Sequence, residues 1–96
     1  MNTSIIIVLF NGHRYISNCL SALQGLVKVD DEIIIIDNAS VDGGGVMVRA
    51  QYPKVLLVRN ATNTGFAAGC NQGAALAGGE VLIFLTQDTR VQPGWL

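Results

Sequence analysis

The hydrophobic positions of this chain fall into four dense blocks separated by segments of different spacing. Thr3 to Phe10 is rich in β-branched residues and apolar from Ile5 onward, Ile33 to Ile36, Val55 to Val58 and Val81 to Leu85 are apolar at consecutive positions, and none of the four shows a helical period. Runs of this kind read as strands covered on both faces, as in a parallel sheet. Val81-Leu82-Ile83-Phe84-Leu85 is expected in the middle of the sheet. It stops abruptly at Thr86-Gln87-Asp88-Thr89, which carries one carboxylate.

Between the blocks the spacing turns helical. Ile16, Cys19, Leu20 and Leu23 fall at i, i+3, i+4 and i+7, one apolar stripe that Gly25 brings to a stop. Asp42-Gly43-Gly44-Gly45 opens a short helix containing Val46, Met47 and Ala50, and Tyr52-Pro53 ends it because proline cannot continue the hydrogen bonding. Gly65 to Gly78 is a third helix, in which Ala67, Ala68, Ala74 and Ala75 would permit close approach to the sheet. Strands alternating with helices predict right-handed crossovers, and hence an α/β fold: a three-layer, Rossmann-like parallel sheet with flanking helices, in one domain over residues 1–96. All four strands then end on one rim, where open α/β sheets bind their ligands. That rim would gather Asn11, Asp37-Asn38, Asn60 to Gly65 and Thr86 to Asp88.

Composition narrows the function classes. Half the residues are hydrophobic and only 14% are charged, in keeping with strands shielded on both sides. A net charge of -1 without a basic stripe argues against nucleic-acid binding. The longest apolar run, Ile5 to Phe10, is far below the roughly 18 residues of a membrane span. No basic segment precedes it as in a secretion signal, so a cytoplasmic location is expected and the three Asn-X-Ser/Thr triplets are incidental. Cys19 and Cys70 lack metal-ligand spacing and are expected as buried free thiols.

The rim residues allow specific chemistry beside plainer roles. Asn63-Thr64-Gly65-Phe66-Ala67-Ala68-Gly69 opens a helix, where free amides and the positive end of the dipole favour an anion such as a phosphate; the same glycines also suit a tight loop. Neither G-x-G-x-x-G after the first strand nor a Walker lysine motif is present. Asp37 and Asn38 could bond a base or ribose, or organise the turn that follows. Asp88 could hold a divalent cation together with diphosphate oxygens, or cap a helix starting near Pro93-Gly94-Trp95. His13 and Arg14 either reach a phosphate or lie on the surface. No nucleophile stands in an activating context.

Four segments together resemble the amino-terminal half of the family-two inverting, nucleotide-sugar-dependent glycosyltransferases of GT-A fold: Ser4 to Gly12, Ile36 to Gly43, Asn63 to Gly73, and Leu85 to Thr89. The last two look like the rhamnosyltransferase-containing subgroup, which implies a dTDP-rhamnose-like or UDP-sugar donor and a glycan or lipid-linked acceptor. By this resemblance Val8, Phe10 and Asn11 lie along the nucleotide, Asp37 and Asn38 face its base and ribose, and Asn63, Gly65 and Asn71 shape the donor pocket. Asp88 matches the last acid of the metal-binding D-x-D motif and would hold Mg²⁺ or Mn²⁺, whereas Thr86 stands at its first position. The family's catalytic base lies beyond the matched segment, so the resemblance implies a truncated donor-binding part with no catalytic residue, inactive alone. A non-catalytic nucleotide-binding or interaction module is the competing reading. The absent half would cover the strand at Val81, and a homodimer through that open side is expected.

Overall fold

The computed structural model describes residues 2–92. It contains β1 (Thr3–Leu9), α1 (His13–Gln24), β2 (Glu32–Asp37), α2 (Gly44–Gln51), β3 (Leu56–Arg59), α3 (Phe66–Leu76) and β4 (Val81–Thr86). The strands form one parallel sheet in the order β3-β2-β1-β4. Val8 stands beside both Ile36 and Thr86, and Asp37 beside both Leu9 and Arg59, so the carboxyl ends of all four strands are level. The α/β architecture and the shared rim are those the sequence pattern predicts.

The two central strands alternate their side chains between two cores. Ile5, Ile7, Leu9, Ile33 and Ile35 pack under α1 and α2, against Ile16, Cys19, Leu20, Leu23, Val48 and Tyr52. Ile6, Ile34 and Ile36 face α3, with Val58, Ala74 and Ala77 around them. Burying one such side chain contributes about 1.5–3 kcal/mol, which makes β1 and β2 the main source of stability. The stripe on α1 is buried as its spacing predicts. Tyr52 closes α2, and its hydroxyl lies 3.3 and 3.0 Å from the hydroxyls of Ser17 and Ser21, which ties α2 to α1.

Three local expectations are corrected. β4 is an edge strand, not a central one: Ile83 and Leu85 pack on the α1 core, but Leu82 and Phe84 are 40% and 46% exposed. An unbroken apolar run cannot distinguish a strand with two neighbours from one with a single neighbour. The close seat of α3 is made mainly by glycines: of the four alanines expected there only Ala74 packs on the sheet, while Ala67, Ala68 and Ala75 face outward. A Cβ on Gly69 would come within 2.8 Å of Val8 Cγ2, and one on Gly73 would overlap Ile6. Centred over β1 and β2, α3 leaves the outer face of β4 open. In α2 the buried apolar residue is Val48, whereas Val46 is 72% exposed, and Gly44 and Gly45 belong to the helix. The expected cap at Pro93 to Trp95 lies outside the described residues. Among the described residues, no helix is long and apolar enough to cross a membrane.

Candidate functional site

The level strand ends open into a cleft of about 470 Å³ between the tip of β1, the start of α3 and the tip of β4. Val8 and Asn38 line it from the central strands, and Phe10, Tyr15 and Phe66 stand on its walls. These three rings are 45%, 45% and 54% exposed. Aromatic faces left open around a concave site with a few convergent polar groups suit stacking against a flat ligand. The Arg14 guanidinium lies 6.0 Å from the centre of the Tyr15 ring, which brings a cation to the same wall.

Gln87 joins the two sides of this floor. Its Oε1 accepts from the Phe10 amide at 2.9 Å and its Nε2 donates to the Phe10 carbonyl at 3.2 Å. The clip continues the β1–β4 pairing past the last strand residues and holds Phe10 on the rim. It works only over Gly12, where a Cβ would overlap the Gln87 amide.

The third side is the loop before α3. Asn38 is 1% exposed, donates from Nδ2 to the Gly65 carbonyl at 3.0 Å, and accepts at Oδ1 from Asn60 Nδ2 at 2.9 Å and Thr64 Oγ1 at 3.2 Å. Asn63 Oδ1 takes the Gly65 amide at 2.9 Å. Gly65 itself has φ +90°, a left-handed value that favours glycine. The helix α3 then starts with no side-chain cap and no acid in its first turn. The partial positive charge of that terminus is therefore left for the cleft.

Opposite it, exposed Asp88 accepts from Thr86 Oγ1 at 2.8 Å, and Thr86 Oγ1 is 2.9 Å from Thr89 Oγ1. Among the described residues no group of three His, Cys, Asp or Glu side chains could hold a metal ion. One carboxylate with neighbouring hydroxyls fits a hard cation only when the ligand supplies further oxygens, as a diphosphate does.

Of the residues singled out in the sequence, Val8, Phe10, Asn38, Asn63, Gly65 and Asp88 line the cleft. Three others lie elsewhere. Asp37 ends β2 on the α2 side and is fully buried; its Oδ1 accepts the Ser40 amide at 3.0 Å and its Oδ2 pairs with Arg59 Nη1 at 2.8 Å. It also packs against Gly45, where a Cβ would overlap the carboxylate, so it serves as the anion at the start of α2. Asn11, at φ +47°, stitches the end of β1 to the next turn, with its amide on Ser40 Oγ and its Oδ1 on the Val41 amide. Asn71 is exposed on α3. Next to it in sequence, the less exposed Gln72 bonds Asn60.

His13 and Arg14 begin α1, and the His13 amide is capped by Asp42, whose other oxygen takes the Gly44 amide of α2. Partial burial works to raise the Asp42 pKa, but those two amides and the nearby His13 outweigh it and hold the carboxyl below its ordinary value. Of the two thiols Cys19 is buried as expected, while Cys70 is partly open. Gln87, Asn60 and Gln72 lie within segments the sequence singles out, but no spacing assigns them or Tyr15 a role, and only their placement reveals it.

Comparison with known proteins agrees with this geometry. The family model described as glycosyl transferase family 2 matches residues 4–96. The poly(ribitol-phosphate) beta-glucosyltransferase of Bacillus spizizenii is 32% identical over 94 residues, 92% of this chain and 15% of that protein. Polypeptide N-acetylgalactosaminyltransferase 16 of Mus musculus is 31% identical over 99 residues, covering 98% of this chain and 17% of its own. Among solved structures, S. aureus TarS 1-349 superposes with a TM-score of 0.86 at 25% identity, over 96% of this chain and 29% of that one. The same protein in complex with UDP gives 0.82 at 26% identity, over 92% and 28%. The chain thus spans less than a third of the length of each of these proteins. With the family model matched along almost its whole length and the GT-A neighbours sharing its sheet, the chain belongs to glycosyl transferase family 2.

Proposed function

We propose that the cleft binds the nucleoside diphosphate of a sugar donor, and that residues 1–96 are the donor-binding part of a transferase domain. The observation that carries this reading is the meeting on one rim of exposed rings, the uncapped start of α3 and the carboxylate of Asp88. The TarS structures with UDP and with UDP-GlcNAc support it by their likeness to this chain. In this reading Val8 and Phe10 lie along the nucleotide, Asn38 faces it, and Asn63 and Gly65 shape the pocket beside the diphosphate. Asp88 would hold Mg²⁺ or Mn²⁺ together with oxygens of the diphosphate, and such a cation would supply neutralisation of the leaving diphosphate when an acceptor hydroxyl attacks the anomeric carbon. A dTDP-rhamnose-like or UDP-sugar donor and a glycan or lipid-linked acceptor complete the proposal. In this reading the chain by itself binds donor without transferring it, and Asp88 is the one carboxylate lining the cleft among the described residues.

Calorimetry with UDP and Mn²⁺ tests this. Weak, metal-dependent binding is expected, and Asp88→Ala should remove the metal-dependent part. Equal affinity in both proteins would take Asp88 out of the site. The same reading includes a homodimer through the open face of β4, where Leu82 and Phe84 are exposed on an unpaired edge. Light scattering that gives a monomer mass at every concentration would exclude it.

A further inference from the structure

Behind the cleft runs a chain of side-chain amides whose orientation is fixed from one end. The Gly65 carbonyl can only accept, so Asn38 must present Nδ2 to it at 3.0 Å. Asn38 Oδ1 then faces Thr64, whose Oγ1 and amide lie at 3.2 and 3.4 Å, and Asn60 Nδ2 at 2.9 Å. With its Nδ2 so directed, Asn60 turns Oδ1 toward α3, where Gln72 Nε2 donates at 2.9 Å. Gln72 Oε1 accepts from Asn60 Nδ2 at 2.8 Å and closes a reciprocal pair. Each amide thus has one permitted orientation, and reversing any of them puts two acceptors or two donors face to face. None of the buried polar side-chain atoms among the described residues lacks a partner, so the chain has no slack at its buried end.

We propose that Gln72 and Asn60, neither of which lines the cleft, are positioning residues. They lock the Asn38 amide, and through it hold Thr64 and Gly65 in the conformation that receives the ligand. Their place in the sequence assigns neither a role, and Gln72 acts two bonded side chains away from the Gly65 carbonyl. The proposal rests on the nucleotide reading for the identity of the ligand, but not for the ordering of the loop.

Gln72→Glu is the informative change, because it keeps length and shape while replacing the required donor by an acceptor. At neutral pH its carboxylate faces Asn60 Oδ1, and an acceptor pair at that distance must open. Protonation at low pH restores an O–H donor, so the defect should reverse on acidification. Gln72→Met removes the bonds without a titratable group and should show a defect that does not reverse. Two readouts are taken on the 96-residue chain relative to wild type at pH 7.5 and near pH 4.5: amide hydrogen exchange at Thr64 and Gly65, and affinity for UDP with Mn²⁺.

For Gln72→Glu at pH 7.5, exchange at both loop amides should rise and UDP affinity should fall about tenfold, the equivalent of one hydrogen bond. Both ratios should return toward wild type at the lower pH. Unchanged loop exchange in both variants would overturn the proposal whatever UDP does. Faster loop exchange with unchanged UDP affinity would overturn the positioning role. Faster exchange with no UDP binding even to wild type would leave the amide chain standing as the loop's lock and defeat the nucleotide reading instead.

Discussion

Arg59→Met should unfold this protein more readily than its half-exposed position suggests. Arg59 is 49% exposed, but the carboxylate it pairs with at 2.8 Å is fully buried. Without the guanidinium, Asp37 keeps only the Ser40 amide at 3.0 Å and the start of α2. Breaking a wholly buried pair costs about 3–5 kcal/mol, because the remaining charge is stranded. Water can approach from the side Arg59 vacates, which reduces that figure. The Arg59 Nη2 bond to the Ser40 carbonyl at 2.9 Å is lost as well, worth about 1 kcal/mol. A net loss of about 2–3 kcal/mol follows, equivalent to a melting temperature lower by about 10–15 °C for a chain of this size. Urea unfolding followed by far-UV circular dichroism measures it. Asp37→Asn/Arg59→Met should recover part of the loss, since no ion is then stranded. A loss under about 0.5 kcal/mol, or strict additivity in the double variant, would mean the pair behaves as a surface ion pair and Asp37 is not the anchor of α2.

Other expectations follow from the packing and the titrating groups. Gly73→Ala should lower stability by about 1 kcal/mol although alanine is the better helix former, since its methyl must displace Ile6; unchanged or greater stability in urea would mean α3 is not seated there. The Ser4 hydroxyl and then the Gly78 amide hold the Glu32 carboxyl below its ordinary value of 4.5. Its contribution is present above that value and disappears as pH falls through the lower, folded-state value, so Glu32→Gln should flatten the acid-side loss of stability. An unaltered slope below pH 4.5 would contradict this. Burial, with the charge of Asp88 adding to it, pushes the Cys19 thiol up to about 11, and Cys70 is raised by burial alone. A thiol reagent at pH 8 should label Cys70 slowly in the native protein and Cys19 only on unfolding; two thiols reacting at one native rate would be the contrary result.

The sequence makes the large features legible because they depend on period. The stripe on α1, the blocks of β1 and β2 and the alternation of strand with helix impose one topology, and topology alone brings Asn38, the Asn63 to Gly65 loop and Asp88 to one rim. What the period cannot carry is the count of neighbours: the block at Val81 is as apolar as those at Ile5 and Ile33, yet among the described residues β4 pairs only with β1. Nor can it tell which small residues touch the sheet, because Gly69 and Gly73 are selected by contact with Val8 and Ile6. Asp37 and Asn38 show the same limit at the site. They are adjacent, but successive strand residues point to opposite faces, so Asn38 reaches the cleft and Asp37 the base of α2. The Gln87 clip joins residues 77 apart and the Asn60–Gln72 pair residues 12 apart, both through unremarkable side chains, and no local pattern announces them.

A nucleoside diphosphate is expected to bind where β1, β4 and the start of α3 meet. Amide chemical-shift mapping during a titration with UDP and Mn²⁺ tests it most directly. Shifts should concentrate at Val8, Phe10, Asn38, Asn63 to Phe66 and Thr86 to Asp88, with Asn71 and the outer face of α2 silent. Shifts gathered instead around Val46, Arg49 and Arg59, in the cavity on the far side of Asp37, would place the ligand behind the sheet's rim and contradict it.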